Sequence, residues 1–189
     1  MKYYIDIKLL PEVDISLGFL WKKVYQQIHL ALVEAKDEAI ALSFPGYGDK
    51  IFPLGDRLRV FAQNIDDLEA LSLDKWLNRL QDYCFVSKIK ETPKVDKYVS
   101  FTRKQVKYHD DVLKRATHQA KRRDISIEEA LKHFEGYKEK KNNLPFIQVK
   151  SLSSEQELKL FIEKKELNEE MLGVFNTFGL SKTATIPWF

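Results

Sequence analysis

The chain has 189 residues and a formal net charge of +3, and 44% of its residues are hydrophobic. This length and composition are enough for one ordinary domain or two small ones, and they exclude disorder for most of the chain. Cys84 is the only cysteine and the four histidines are scattered, which excludes a disulfide framework, a paired-cysteine zinc site and any recognisable metal-ligand spacing. No apolar run is long enough for a signal peptide or a membrane span, so the sequence predicts a soluble, cytoplasmic protein.

Changes in hydrophobic period divide the first half of the chain into strands and helices. Apolar residues alternate in the predicted strands and recur every three or four residues in the predicted helices. In chain order, the predicted segments are a strand at 3–10, a helix at 17–35, strands at 39–44 and 57–63, a helix capped by Asp66, and a strand at 84–89 with Cys84 in the core. This β-α-β-β-α-β order predicts an α+β protein with an N-terminal ferredoxin-like domain at residues 1–92. Because that arrangement hosts many unrelated functions, it names none by itself.

A polar stretch at residues 91–97, which contains Pro93, is the predicted linker to a smaller C-terminal α+β domain at residues 98–189. Ser126 opens a Ser-Ile-Glu-Glu capping-box pattern, which predicts that a helix starts there. The other predicted segments are a strand at 99–107, a basic helix at 110–122, strands at 144–150 and 157–162, and a last strand at 173–178.

Positive charge is concentrated between Arg103 and Arg123. This stretch carries eight Lys or Arg residues against two acidic residues, Asp110 and Asp111. Its helical basic residues recur at three- and four-residue steps, which gathers them on one side of the helix: Lys114, Arg115, His118, Lys121 and Arg122. A one-sided cationic helix predicts a polyanionic partner, of which nucleic acid is the commonest. The alternative is an ordinary solvated face.

Seven short motifs occur in an order that spans almost the whole chain. In chain order they are Gln27-Ile28-His29-Leu30-Ala31-Leu32, Ser43-Phe44-Pro45, Leu54-Gly55-Asp56-Arg57-Leu58-Arg59, Leu144-Pro145-Phe146, Lys159-Leu160-Phe161-Ile162, Phe178-Gly179-Leu180-Ser181-Lys182 and Pro187-Trp188-Phe189. Together they resemble the motifs of the type I-F CRISPR endoribonuclease family, which processes precursor guide RNA. The resemblance implies an N-terminal ferredoxin-like domain followed by a C-terminal domain with an arginine-rich helix, which agrees with the layout that the hydrophobic periods predict.

The resemblance also implies a chemistry that needs no cofactor and no metal. A neighbouring 2′-hydroxyl attacks its own phosphate, so the protein supplies a base and an alignment group. His29 matches the family's catalytic histidine, and a neutral imidazole can accept the hydroxyl proton. Ser151 matches a serine that holds the 2′-hydroxyl, and Ser153 a supporting serine. Without the resemblance, a helical histidine and a turn serine are more often structural residues.

The RNA-binding residues implied by the resemblance are separate from the catalytic ones. Arg103 and Gln105 match two residues that read base edges near the bottom of an RNA stem, and Arg suits guanine as Gln suits adenine. Phosphate contacts are expected from the basic residues around and within the helix, which are Lys107, Lys114, Arg115, His118, Lys121, Arg122 and Arg123. The implied partners are a CRISPR repeat stem-loop, as precursor and as mature guide RNA, and other subunits of a type I-F surveillance complex.

Two positions depart from the family pattern. Phe178 stands where the family has a tyrosine near the active centre, so that hydroxyl is absent. Leu158 stands where the family has an aromatic residue that assists RNA binding, and leucine cannot stack in the same way. A non-catalytic subunit that binds an RNA hairpin is the alternative to an endoribonuclease.

Overall fold

A computed structural model describes residues 1–36, 38–105, 109–134, 142–150 and 156–189. For residues 109–111 it describes the helical backbone but not the side chains. The protein is a mixed α+β chain that forms two compact units. The first consists of Met1–Lys104 and Leu144–Phe189, and the second of Gln105–Asn143. The domains predicted from the sequence, at residues 1–92 and 98–189, divide the chain differently from these two compact units, and that division stays a prediction.

The first sheet is antiparallel and contains the strands of the N-terminal half. Its strands are β1 (Tyr3–Leu9), β2 (Ala41–Ser43), β3 (Arg57–Ala62), β4 (Cys84–Val86) and β5 (Lys90–Glu91). They are ordered β2-β3-β1-β4. On the edge of β1 that faces away from β3, β4 pairs with the end of the strand and β5 pairs with its beginning. The predicted strands near these positions are confirmed, and Cys84 is buried as expected. The ferredoxin-like arrangement of this half stays a prediction.

Helix α1 (Leu17–Ala35) carries His29, the predicted base, and the predicted bounds of this helix are confirmed. The hydroxyl of Ser16 caps it by accepting a hydrogen bond from the Phe19 amide at 3.3 Å. Its apolar residues recur at helical spacing and are almost fully buried: Leu20, Trp21, Val24, Tyr25, Ile28, Ala31 and Leu32. The helix therefore has one fixed orientation against the core.

The prediction that the second helix is one continuous element is wrong. The chain forms α2 (Ile65–Ala70), α3 (Leu73–Leu77) and one turn of 3₁₀ helix at Asn78–Leu80. Asn64, not Asp66, occupies the N-cap position of α2. Ser72 has a φ of +47°, a left-handed conformation that a continuous α-helix does not contain, and it separates α2 from α3.

The second sheet packs into the same hydrophobic core as the first. Its strands are β6 (Tyr98–Lys104), β7 (Phe146–Lys150), β8 (Glu157–Leu167) and β9 (Ile186–Pro187), antiparallel in the order β7-β8-β6-β9. The predicted strand at 173–178 is wrong, because this segment pairs with no strand among the described residues and ends in a tight turn at Gly179.

The second compact unit contains a helix pair, α4 (His109–Arg123) and α5 (Ile127–Lys132). Small side chains of the two helices form its core, with Ala116, Ala120 and Ala130 at most 5% exposed. The Ser126 hydroxyl accepts a hydrogen bond from the Glu129 amide at 3.0 Å, which confirms the predicted helix start.

Candidate active site

His29 lies at the edge of the buried face of α1, and 9% of its surface is exposed to solvent. Its Nδ1 is 2.7 Å from the main-chain carbonyl oxygen of Thr177. A carbonyl oxygen can only accept a hydrogen bond, so Nδ1 carries the proton and donates it. In the neutral ring this leaves Nε2 with its lone pair, which is the state a general base requires.

The imidazole of His29 also stacks on an aromatic ring. The ring centroids of His29 and Phe178 are 4.3 Å apart, and the planes differ by 3°. The guanidinium carbon of Arg103 lies 5.2 Å from the centroid of the same Phe178 ring. The position at which the sequence departs from the family's tyrosine is therefore occupied by a ring that contacts both a candidate base and a candidate base reader.

Thr177 and Phe178 belong to a tight loop at residues 176–181, which local hydrogen bonds hold in shape. The side-chain oxygen of Asn176 accepts hydrogen bonds from the amides of Phe178 at 2.9 Å and Leu180 at 3.3 Å. Gly179 has a φ of +66°, and a Cβ there would lie 2.3 Å from Cγ of Leu42. Only glycine fits this combination of conformation and close approach.

Neighbouring elements hold the 176–181 loop from several sides. The Leu42 amide of β2 donates to the Gly179 carbonyl at 2.8 Å, and the Ser181 amide donates to the Phe101 carbonyl of β6 at 3.0 Å. The Thr102 hydroxyl donates to the Ser181 carbonyl at 3.0 Å. The carbonyl that contacts His29 is thus part of a fixed piece of backbone.

Tyr25 lies at the candidate site but is not among the residues predicted from the sequence. Its hydroxyl donates to the Phe178 carbonyl at 2.8 Å, and the residue is fully buried. Burial raises the pKa of the Tyr25 hydroxyl far above its ordinary value, and the positive charge of Arg103 offsets part of that rise. Its position four residues before His29, on the same helix face, is the sequence signal that could have pointed to it.

The ends of β7 and β8 that flank residues 151–155 lie against α1, before His29 in the helix. The Lys150 amide at the end of β7 donates to Oε1 of Gln26 at 2.8 Å. The Lys22 ammonium pairs with the carboxylate of Glu157, the first residue of β8, and its hydrogen bond and charge lower the pKa of that carboxyl. Gln26 and Lys22 lie about one and two turns before His29.

Three predicted site residues lie outside the described part of the chain: Lys107, Ser151 and Ser153. Leu158, the second departure from the family pattern, is half-buried on β8 and packs against the core. Arg103 is half-buried at the end of β6, and Gln105 is exposed at the start of the second unit.

Helix α4 has a buried stripe and an exposed cationic face. Val112, Ala116 and Ala120 are at most 6% exposed, whereas every basic residue from 114 to 123 is exposed. The cations predicted to share a face do so, within about 120° of the helix circumference: Lys114, Arg115, His118, Lys121 and Arg122. Arg123 falls outside this arc, on the last turn.

Among the residues that the structure describes, no helix combines the length and apolarity needed to cross a membrane. Among the same residues, no group of three or more His, Cys, Asp or Glu side chains is placed to hold a metal ion.

Residues 4–189 match the protein family described as CRISPR-associated protein (Cas_Csy4). The chain is also similar to two curated proteins, each named CRISPR-associated endonuclease Cas6/Csy4. The protein from Escherichia coli (strain UTI89 / UPEC) is 34% identical over 190 residues, and the protein from Pseudomonas aeruginosa (strain UCBPP-PA14) is 34% identical over 192 residues. Both similarities cover 100% of this chain and 100% of the relative.

Proposed function

The chain belongs to the Cas_Csy4 family of CRISPR-associated proteins, and we propose that it is an endoribonuclease that cleaves CRISPR repeat RNA at the 3′ side of a stem-loop. The two full-length relatives named as CRISPR-associated endonucleases support a nuclease function in that setting. The family resemblance expected from the sequence motifs is thereby confirmed. The product of the proposed reaction is the mature guide RNA.

The proposed reaction uses a nucleophile that the RNA itself supplies. His29 takes the proton of a 2′-hydroxyl through Nε2, and the 2′-oxygen attacks the adjacent phosphorus. The bond from phosphorus to the 5′-oxygen breaks, that oxygen leaves as a 5′-hydroxyl with a proton taken from solvent, and His29 returns the proton it accepted to solvent. The other product ends in a 2′,3′-cyclic phosphate. No metal takes part in this scheme.

One observation carries the proposal: the hydrogen bond of 2.7 Å from His29 Nδ1 to the Thr177 carbonyl. It assigns the proton to Nδ1 and so leaves Nε2 able to accept another. With 9% of its surface exposed, His29 is nearly buried but not completely closed off from solvent.

We assign Ser151 the alignment of the 2′-hydroxyl, with Ser153 in support. Ser151 directly follows Lys150 in the chain, and the Lys150 amide is bonded to Gln26 on the helix that carries His29. The ends of both strands that flank 151–155 are attached to this helix, since Glu157 pairs with Lys22. These attachments support a serine role beside the histidine.

Binding is assigned to residues that do not perform the chemistry. Arg103 and Gln105 are the proposed base readers, and Lys107 is a proposed phosphate contact. The exposed face of α4 would neutralise phosphates of the stem, which makes affinity depend on salt concentration. In the cell, the protein would act in the cytoplasm and remain on its guide RNA as one subunit of a type I-F surveillance complex.

The test is incubation of the purified protein with a labelled CRISPR repeat stem-loop in excess chelator. The expected result is one cut at the 3′ side of the stem, with a 2′,3′-cyclic phosphate on one product and a 5′-hydroxyl on the other. A 2′-deoxy substitution at the nucleotide before the scissile phosphate should block the cut, and continued cleavage there would remove the proposed nucleophile. Binding without cleavage would favour the non-catalytic hairpin-binding subunit.

A further inference from the structure

Two residues of α1, four positions apart, hold two successive carbonyls of the 176–181 loop. Tyr25 donates to the Phe178 carbonyl at 2.8 Å, and His29 donates to the Thr177 carbonyl at 2.7 Å. Residues four apart lie on the same helix face, so the two hydrogen bonds form side by side. The stretch of backbone between the two carbonyls is therefore held at both ends by the same helix.

The two donors differ in what they can do chemically. An imidazole exchanges its proton and can adopt either tautomer, whereas the raised pKa of the buried Tyr25 hydroxyl keeps that group protonated over the whole working pH range. Tyr25 is thus a permanent donor. Its hydrogen bond persists while His29 gains and loses a proton.

We propose that Tyr25 is a positioning residue for cleavage, which holds the Phe178 carbonyl so that the preceding Thr177 carbonyl stays aimed at Nδ1 of His29. The inference rests on the proposed function of His29 as the general base. Because Phe178 also presents its ring to the imidazole at 4.3 Å, Tyr25 fixes the stacking partner of His29 as well. Without the Tyr25 hydroxyl, His29 would retain its place on α1, but the Thr177 carbonyl that constrains its tautomer would be held less firmly.

Asn176 completes the support from within the loop. Its side-chain oxygen accepts from the Phe178 amide at 2.9 Å, on the other side of the same residue whose carbonyl Tyr25 holds. An acceptor at position 176 is therefore required for the loop shape, but an amide nitrogen is not. Asn176→Asp keeps the acceptor, and Asn176→Ala removes it.

The main experiment compares Tyr25→Phe with the matched control Tyr47→Phe. The Tyr47 hydroxyl donates to the Ile162 carbonyl of β8 at 3.0 Å. Each substitution therefore removes one hydroxyl that donates a hydrogen bond to a main-chain carbonyl. The measurements are the single-turnover cleavage rate at saturating repeat RNA and the affinity for a 2′-deoxy, uncleavable stem-loop. Tyr25→Phe should lower the rate roughly five- to tenfold with unchanged affinity, while Tyr47→Phe should leave both unchanged.

A spectroscopic measurement separates positioning from loss of stability. In the wild-type protein, the ¹⁵N shifts of the His29 ring should report the Nδ1-protonated tautomer, and in Tyr25→Phe they should move toward a mixture. Should Tyr25→Phe fail to fold, the Asn176 pair provides the test: Asn176→Ala should slow cleavage and Asn176→Asp should restore it. Equal rates for both Asn176 variants and wild type would overturn the proposal.

The outcomes distinguish this inference from the function on which it rests. A wild-type protein that never cleaves, or a His29→Ala variant that cleaves normally, contradicts the proposed function. Normal cleavage and an unchanged His29 tautomer in Tyr25→Phe, with His29→Ala inactive, would overturn the positioning role alone.

Discussion

His29 and His118 are the same side chain on two helices with opposite surroundings. His29 is 9% exposed, bonded to a loop carbonyl and stacked on Phe178. His118 is exposed on α4, among lysines and arginines and opposite a stripe of buried alanines. Within one protein, the surroundings of α1 restrict a histidine to one tautomer, and those of α4 leave another exposed to solvent.

The difference separates two physical requirements. Proton transfer requires a group held within a few tenths of an ångström and with a defined tautomer, which only a packed environment supplies. Neutralising phosphates requires charge at the surface, and long mobile side chains meet that need without fixed positions. We therefore expect changes to α1 to alter the rate of cleavage and changes to α4 to alter affinity.

The strongest effect should come from His29→Ala, with His118→Ala as its matched control. Loss of the general base should slow cleavage by about 10²–10⁴-fold while affinity for the uncleavable stem-loop changes little. His118→Ala should weaken affinity slightly, because one exposed contact among several is lost, and its rate at saturating RNA should far exceed that of His29→Ala. Cleavage and filter-binding assays check both, and equal rate losses in the two variants would contradict the comparison.

A second effect concerns the charged face of α4. Exchanging Lys114, Arg115, Lys121 and Arg122 for glutamine should weaken RNA binding and reduce the steepness of log affinity against log salt by about three to four units, if each contacts one phosphate. A charge-preserving variant, with Lys and Arg interchanged at the same positions, should retain the slope. A salt titration of binding measures it, and an unchanged slope in the glutamine variant would identify the face as merely solvated.

A weaker effect is expected from the loop that holds His29. Gly179→Ala forces a Cβ to within 2.3 Å of Leu42 in a left-handed conformation, which we expect to cost roughly 1–3 kcal/mol of stability and to slow cleavage. Gly48→Ala is the control, because Gly48 also has a positive φ of +91° but a Cβ there meets nothing within 4 Å. Thermal unfolding and cleavage rates should show the larger loss in Gly179→Ala.

Local pattern was a good guide wherever a segment's own residues decide its structure. The α1 bounds, the Ser126 helix cap and the one-sided charge of α4 all follow from spacing along a single helix. The pattern failed where the chain leaves regular structure. Left-handed Ser72 splits the second helix, and a loop replaces the expected strand at 173–178.

Three features follow from the amino-acid sequence alone: the family, the helix that carries His29 and the cationic character of α4. Each depends on residues in a row or at a fixed helical step. The folded chain was needed to show that Thr177 and Phe178 contact His29 and that Tyr25 holds the Phe178 carbonyl. Thr177 is 148 positions away from His29 along the chain, and a main-chain carbonyl leaves no signature in the residue types. The long-range packing that brings this loop to α1 therefore sets the tautomer of a histidine that the sequence could only locate.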